Sequence, residues 1–207
     1  MYKLYYSPGA CSMGIHVALN ECNQPVTLEK VSTATGQNRT PEFLKLNPRG
    51  QIPVLADGDQ VIREGAAILI HILEKHKSPL LPQTGPARDA ALEWLMFANA
   101  TLHPAYARMF FLKRNGTTEG PLADAAMASI NTLWQEVEQR LSQNSYICGA
   151  EITIADILIT VIANWSHNLP QPVALGPNTK RLLKEISSRP SYQKALAAEQ
   201  VEYKAAA

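Results

Sequence analysis

Apolar residues in the first 76 positions alternate between a period of two and a helical period, and beyond about residue 88 only the helical period recurs. "YKLYY" at 2–6 reads as a short strand. Ile15, Ala18, Leu19 and Cys22 share one face of a helix predicted over 12–22. "VTLEKV" at 26–31 alternates as a second strand, and "EFLKL" at 42–46 is a brief helix ahead of the turn "NPRG". "IPVLA" at 52–56 and "QVIRE" at 60–64 flank "DGD" as a hairpin, after which "GAAILIHILEKH" at 65–76 returns to helical spacing. The order β-α-β-α-β-β-α predicts a compact α/β domain, with the first two strands able to pair in parallel and the hairpin antiparallel.

Neither period survives in "KSPLLPQTGPA" at 77–87, which reads as a linker between domains 1–77 and 88–207. The second domain carries no convincing strand. Leu92, Leu95, Met96, Asn99, Leu102, His103, Tyr106 and Phe110 mark one face of a long helix, which must kink or restart where Pro104 follows His103. A further helix is predicted over 123–141. The segment 153–165 is apolar on nearly every side and should be the buried centre of a helical bundle. Thr153-x-x-Asp156 is a capping-box pattern that sets where this helix begins. Two shorter helices, near 177–188 and 191–199, complete an all-α domain.

Charge and composition remove several classes of function. The chain has 207 residues, 46% of them hydrophobic and 18% charged, and 19 basic side chains against 18 acidic ones. A net charge of +1 offers no field to gather nucleic acid or anionic lipid. The N-terminus lacks the pattern of a secretion signal, and no apolar run reaches the roughly 18 residues of a membrane span, so a cytoplasmic location is expected. Three cysteines, Cys11, Cys22 and Cys148, are too few and too scattered for a disulfide framework, and no histidine has a partner at metal-ligand spacing. No metal is expected.

Four places could carry chemistry, and each has a plain structural alternative. Cys11 lies at the predicted start of the first helix, where unpaired N–H groups favour a thiolate and lower a thiol pKa, or it simply fills space. Pro53 opens a strand inside the sheet, which fits a cis bond or the end of a loop. Glu64 and Gly65 stand at a strand-to-helix junction, where helix N–H groups could hold a carboxylate and Glu64 could receive an amine; equally, a first helical turn favours an acid. His103, Tyr106 and Phe110 share a helix face that is either core or pocket.

Taken together, "KLYYSPGACS" at 3–12, "NPRGQIPVL" at 47–55, "EGAAI" at 64–68 and "TIAD" at 153–156 resemble, in order, four motifs of the glutathione S-transferases, in particular the bacterial beta class. The resemblance runs over nearly the whole chain. It implies a thioredoxin-like N-terminal domain, an all-helical C-terminal domain and a homodimer. It also implies an enzyme that conjugates glutathione, its co-substrate, to small hydrophobic electrophiles. Cys11 and His103 would be the catalytic residues. Ala10, Cys11, Gln51, Ile52, Pro53, Glu64, Gly65 and His103 would bind glutathione, and Tyr106, Phe110 and Trp165 would line the pocket for the second substrate. Alternatives within the resemblance are a glutathione-dependent thiol-disulfide reductase using Cys11 and a non-catalytic binding protein on the same scaffold. A zeta-class isomerase is disfavoured, since that class usually has a serine pair where this chain has Gly9-Ala10. The chain departs from the beta class at Pro104, where lysine is common, at Met96 and Ala100, and in the lysine-free loop 32–40.

Overall fold

In the computed structural model, which describes residues 1–206, four strands form a single sheet in the order β2-β1-β3-β4. They are β1 (Tyr2–Tyr6), β2 (Val26–Lys30), β3 (Val54–Asp57) and β4 (Gln60–Arg63), with β1 and β2 parallel and the other pairs antiparallel. Helices α1 (Ser12–Glu21), α2 (Pro41–Leu46) and α3 (Gly65–Lys75) connect or follow the strands. Alternation along β1 buries Tyr2, Leu4 and Tyr6 on one side of the sheet. On the other side Tyr5 packs edge-on to Phe43 of α2, with Val31, Val54, Ile52 and Val61 completing a small core. β3 begins at Val54, so the strand expected from 52 starts two residues later, and the bond between Ile52 and Pro53 just before it is cis.

The remaining helices are α4 (Gly85–Met96), α5 (His103–Arg114), α6 (Pro121–Leu141), α7 (Ile154–Ala163), α8 (Pro177–Ser187) and α9 (Pro190–Glu199). Helix α4 therefore begins inside the segment expected to be linker. The interruption expected at His103-Pro104 is a π-helical stretch, Phe97–Leu102, joining α4 to α5. Proline has no N–H to give and its ring crowds the carbonyl four residues back, so the preceding turn widens. All ten residues of α7 are buried, and the last part of the apolar run, Asn164–Asn168, is a 3₁₀ turn rather than α-helix. The capping box at its start is formed, with the Thr153 N–H donating to Asp156 Oδ2 at 2.8 Å; Asp156 Oδ1 also accepts the Ile147 N–H at 2.8 Å.

Two compact units divide the chain. The first comprises Met1–Gln83 with Arg189–Glu202, and the second runs from Thr84 to Ser188 and resumes at Tyr203. The expected second domain extended to the C-terminus; instead α9 packs along α1 and belongs with the sheet. No periodicity could have announced this, because α9 and α1 are joined by side chains far apart in sequence: Arg189 Nε meets Glu21 Oε1 at 2.8 Å, and Asn20 Nδ2 donates to the Ser191 carbonyl at 3.0 Å.

Candidate functional site

Cys11 occupies the N-cap position of α1, after a turn that runs from Ser7. The turn is tied by Ser12, whose hydroxyl accepts the Ser7 N–H at 3.3 Å and donates to the Ser7 carbonyl at 3.2 Å, and by the Ala10 N–H to the Ser7 carbonyl at 3.1 Å. The thiol does not cap the helix. Burial pushes it up to about 11; the N–H groups of Ser12 and Cys11 pull it down by less, and the charge of Glu64 adds to the rise. The lowered thiol expected from the helix start is thus overturned. The helix N–H groups act in the expected direction, but desolvation of the ionised form is the larger effect. Cys148 is pushed to about 11 by burial as well, and burial also raises Cys22.

The turn after α2 is built from beneath by two buried asparagines that the sequence reading missed. Asn47 Nδ2 donates to the Gln51 carbonyl at 2.7 Å, its Oδ1 accepts the Arg49 N–H at 3.2 Å, and Asn38 Nδ2 donates to the Gly50 carbonyl at 2.7 Å. Gly50 adopts a φ of 63°, and a Cβ there would lie 2.8 Å from the Asn38 carbonyl oxygen, so only glycine fits. Asn47 stands before Pro48, a turn signal; nothing marks Asn38 in advance. Gln51 is exposed and Ile52 half-buried. Neither the N–H nor the C=O of Ile52 is engaged by another described residue.

Glu64 is the N-cap residue of α3, in a backbone conformation of φ 71° and ψ 120° that non-glycine residues rarely adopt. Such outliers concentrate where a side chain must be aimed. Its carboxylate is exposed and accepts from Arg49 Nη2 at 2.6 Å. Arg49 is a third residue that the sequence reading missed, although it sits inside the "NPRG" turn. An exposed ion pair of this kind contributes little, on the order of 1 kcal/mol or less, and leaves the carboxylate available to a competing ammonium. Thus one unit holds Cys11, the free backbone of Ile52, Glu64 and the Gly65 helix start, and the field of Glu64 is felt at the Cys11 thiol.

Within the second unit the predicted aromatic residues come together. The rings of His103 and Trp165 meet edge-on with centroids 5.0 Å apart, Tyr106 and Trp165 lie at 5.9 Å, and Phe110 and Trp165 at 6.4 Å. Burial lowers the His103 pKa, favouring neutral imidazole. Tyr106 is different from the expectation: it is fully buried, its hydroxyl accepting from Trp134 Nε1 at 2.8 Å and paired with Ser166 Oγ at 2.7 Å. It supports the cluster from the core, leaving His103, Phe110 and Trp165 half-buried. An open apolar groove of about 640 Å³ lies elsewhere on this unit, lined by Pro104, Arg108 and Phe111 of α5 and Leu122, Ala125 and Ser129 of α6. Among the described residues no group of three or more His, Cys, Asp or Glu could hold a metal ion, and no helix is long and apolar enough to cross a membrane.

Two family models match the chain: the glutathione S-transferase N-terminal domain over residues 9–75 and the glutathione S-transferase C-terminal domain over residues 91–190. Glutathione S-transferase 3 of Zea mays is 33% identical over 96% of this chain and 93% of its own length. Among solved structures, a glutathione S-transferase from Xylella fastidiosa is similar at a TM-score of 0.86 and 27% identity, covering 98% of this chain and all of its own. A glutathione transferase from Burkholderia graminis, solved with two glutathione molecules bound per subunit, is similar at a TM-score of 0.83 and 25% identity, covering 95% of this chain and 88% of its own.

Proposed function

Since this chain belongs to the glutathione S-transferase family, we propose that it conjugates reduced glutathione to small hydrophobic electrophiles, with glutathione's own sulfur as the nucleophile and Cys11 as a neutral S–H donor to it. One observation carries this reading: a single unit holds Cys11 at the start of α1, the cis Ile52-Pro53 turn and an exposed Glu64 carboxylate at the start of α3, and burial pushes the Cys11 thiol up to about 11. At neutral pH Cys11 keeps its proton and is a poor nucleophile. A neutral S–H beside a second sulfur can donate to it, favouring the thiolate form of that sulfur. The glutathione thiolate attacks the electrophilic carbon, the S–C bond forms, and the leaving group departs with its electron pair; the thiol proton is released to water or to a neutral base such as His103.

Residues 1–77 would bind glutathione. Its γ-glutamyl ammonium replaces Arg49 at Glu64, its carboxylate takes the Gly65 N–H, Gln51 lies alongside, and its cysteinyl backbone pairs with Ile52 as an added strand would, next to Pro53 and Ala10. Residues 88–207 would carry the electrophile side, with Phe110 and Trp165. The protein acts as a cytoplasmic homodimer, which light scattering at micromolar concentration tests directly: a monomer mass contradicts it.

The activity is tested with glutathione and a chlorodinitrobenzene. Glu64→Gln removes the charged partner of the ammonium, about 1.5–3 kcal/mol, and should raise the glutathione KM at least about tenfold with kcat nearly unchanged. Cys11→Ala should lower kcat without abolishing conjugation, and Cys11→Ser, which restores a donor, should recover most of it. Conjugation that vanishes in Cys11→Ser, or a Glu64→Gln enzyme with wild-type KM, would overturn the assignment.

A further inference from the structure

We propose that Arg49 binds glutathione by exchange: the guanidinium that holds Glu64 in the ligand-free protein passes to the γ-glutamyl carboxylate when the neighbouring ammonium takes Glu64. The proposal rests on the reading of Glu64 as the acceptor of that ammonium. Arg49 Nη2 lies 2.6 Å from Glu64 Oε1, and both side chains are more than half exposed, at 56% and 62%. Water screens such a pair, so it opens easily. What is fixed is the root of the arginine. Its N–H donates to Asn47 Oδ1 at 3.2 Å, and its carbonyl accepts from Arg39 Nη1 at 3.2 Å. Asn47 is itself buried, with its amide on the Gln51 carbonyl at 2.7 Å. Arg49 therefore combines a backbone clamped on both sides with a long exposed side chain, as a residue that changes partners requires.

The chemistry of the ligand supplies the second partner. In a γ-glutamyl group one carbon carries both the ammonium and the carboxylate, so an ammonium seated on Glu64 brings a carboxylate to the place the guanidinium has just left. A carboxylate has about four lone-pair positions to fill. Gly65 gives it a backbone N–H and no side chain, and Ala66 and Ala67 after it carry no polar group beyond the backbone. The bond from Arg49 to Glu64 uses Nη2 alone. On a carboxylate approaching in its plane the same guanidinium can make two parallel hydrogen bonds, each about twice as strong as a neutral one. Exchange leaves every charge paired, Glu64 with the ammonium and Arg49 with the carboxylate. A ligand with only one of the two groups loses this. An amine without the carboxylate must displace Arg49 and gives it nothing in return, and a carboxylate without the amine leaves Arg49 held by Glu64. Arg49 thus selects the amino-acid zwitterion at this end of the tripeptide, whereas Glu64 alone would accept any primary ammonium.

Calorimetric titration with glutathione and with γ-aminobutyryl-cysteinylglycine, which keeps the ammonium and lacks the adjoining carboxylate, tests this by sign. In Arg49→Met the glutathione Kd should rise at least about fivefold, the loss of a charge-assisted bond less the relief of a weak competing pair. The same substitution should lower the Kd of the decarboxylated analogue by about two- to fivefold, because for that ligand Arg49 only competes. Arg49→Lys, which keeps the charge and loses the planar fork, should recover part of the glutathione affinity. A residue that merely shapes the turn would move both ligands in the same direction. Equal shifts for the two ligands, or a glutathione Kd that falls in Arg49→Met, overturn the proposal. If the wild type binds no glutathione, the functional reading falls and takes the proposal with it. If the wild type binds glutathione and Arg49→Met binds it as tightly, only the proposal falls.

Discussion

At the scale of single residues, the decisive quantity is the balance at Cys11 between desolvation and helix-start N–H groups. The sequence shows the second and hides the first, because burial depends on what folds over the sulfur. With the thiol held up to about 11, its ionised fraction at pH 7 is on the order of 1 in 10,000. Its alkylation should therefore rise about tenfold per pH unit from pH 7 to pH 10 without levelling off, since the neutral form persists below the raised pKa. A plateau by pH 9, read from iodoacetamide rates at the Cys11 peptide, would show a thiol that is not held up. Glu64 was legible as an acid at a strand-to-helix junction. Its left-handed backbone and its partner Arg49 were not, since neither leaves a trace in hydrophobic spacing.

Elements were legible wherever a period ran long enough. Strands β1, β2 and β4 and helices α1, α3, α6 and α7 lie within a few residues of their predicted ranges, because one buried face repeats along each. Their ends are set by less visible means. Helix α8 starts under a carboxylate from another helix: Glu138 accepts the N–H and Oγ1–H of Thr179 at 2.8 Å each, and the N–H and Nδ2–H of Asn178 at 3.1 and 2.8 Å. Burial alone would raise the Glu138 pKa, but these donors outweigh it and hold it below the ordinary carboxylate range. A Cβ on Gly176 would run into that carboxylate. Gly176→Ala should cost about 1–3 kcal/mol, as an overpacked site does, and Glu138→Ala a similar amount by leaving helix-start donors unpaired. The two share one cause, so the double variant should cost scarcely more than Glu138→Ala alone. Strictly additive losses in urea unfolding would refute the shared cause.

For the whole molecule, the division into two units follows packing more than chain order. Helix α9 lies against α1, so a chain ending at Ser188 loses the partners of Glu21, Asn20 and His16 together and opens the apolar face of α1. It should be cut by protease faster within residues 1–83 than the full chain, while cleavage within 84–188 changes less; equal patterns would show that α9 is dispensable to the first unit. The amino-acid order by itself determined the class of each half, the strands and helices, the positions of the glutathione-type motifs and the family they resemble, because each is written in short-range periodicity, turn residues or contiguous motifs. Tertiary structure alone decided that burial pushes the Cys11 thiol up, that Tyr106 is buried in the core, that Arg49 meets Glu64, and that α9 folds back onto α1. Those outcomes depend on which distant segments remove water from a group and which supply its hydrogen bonds, and no local pattern records either.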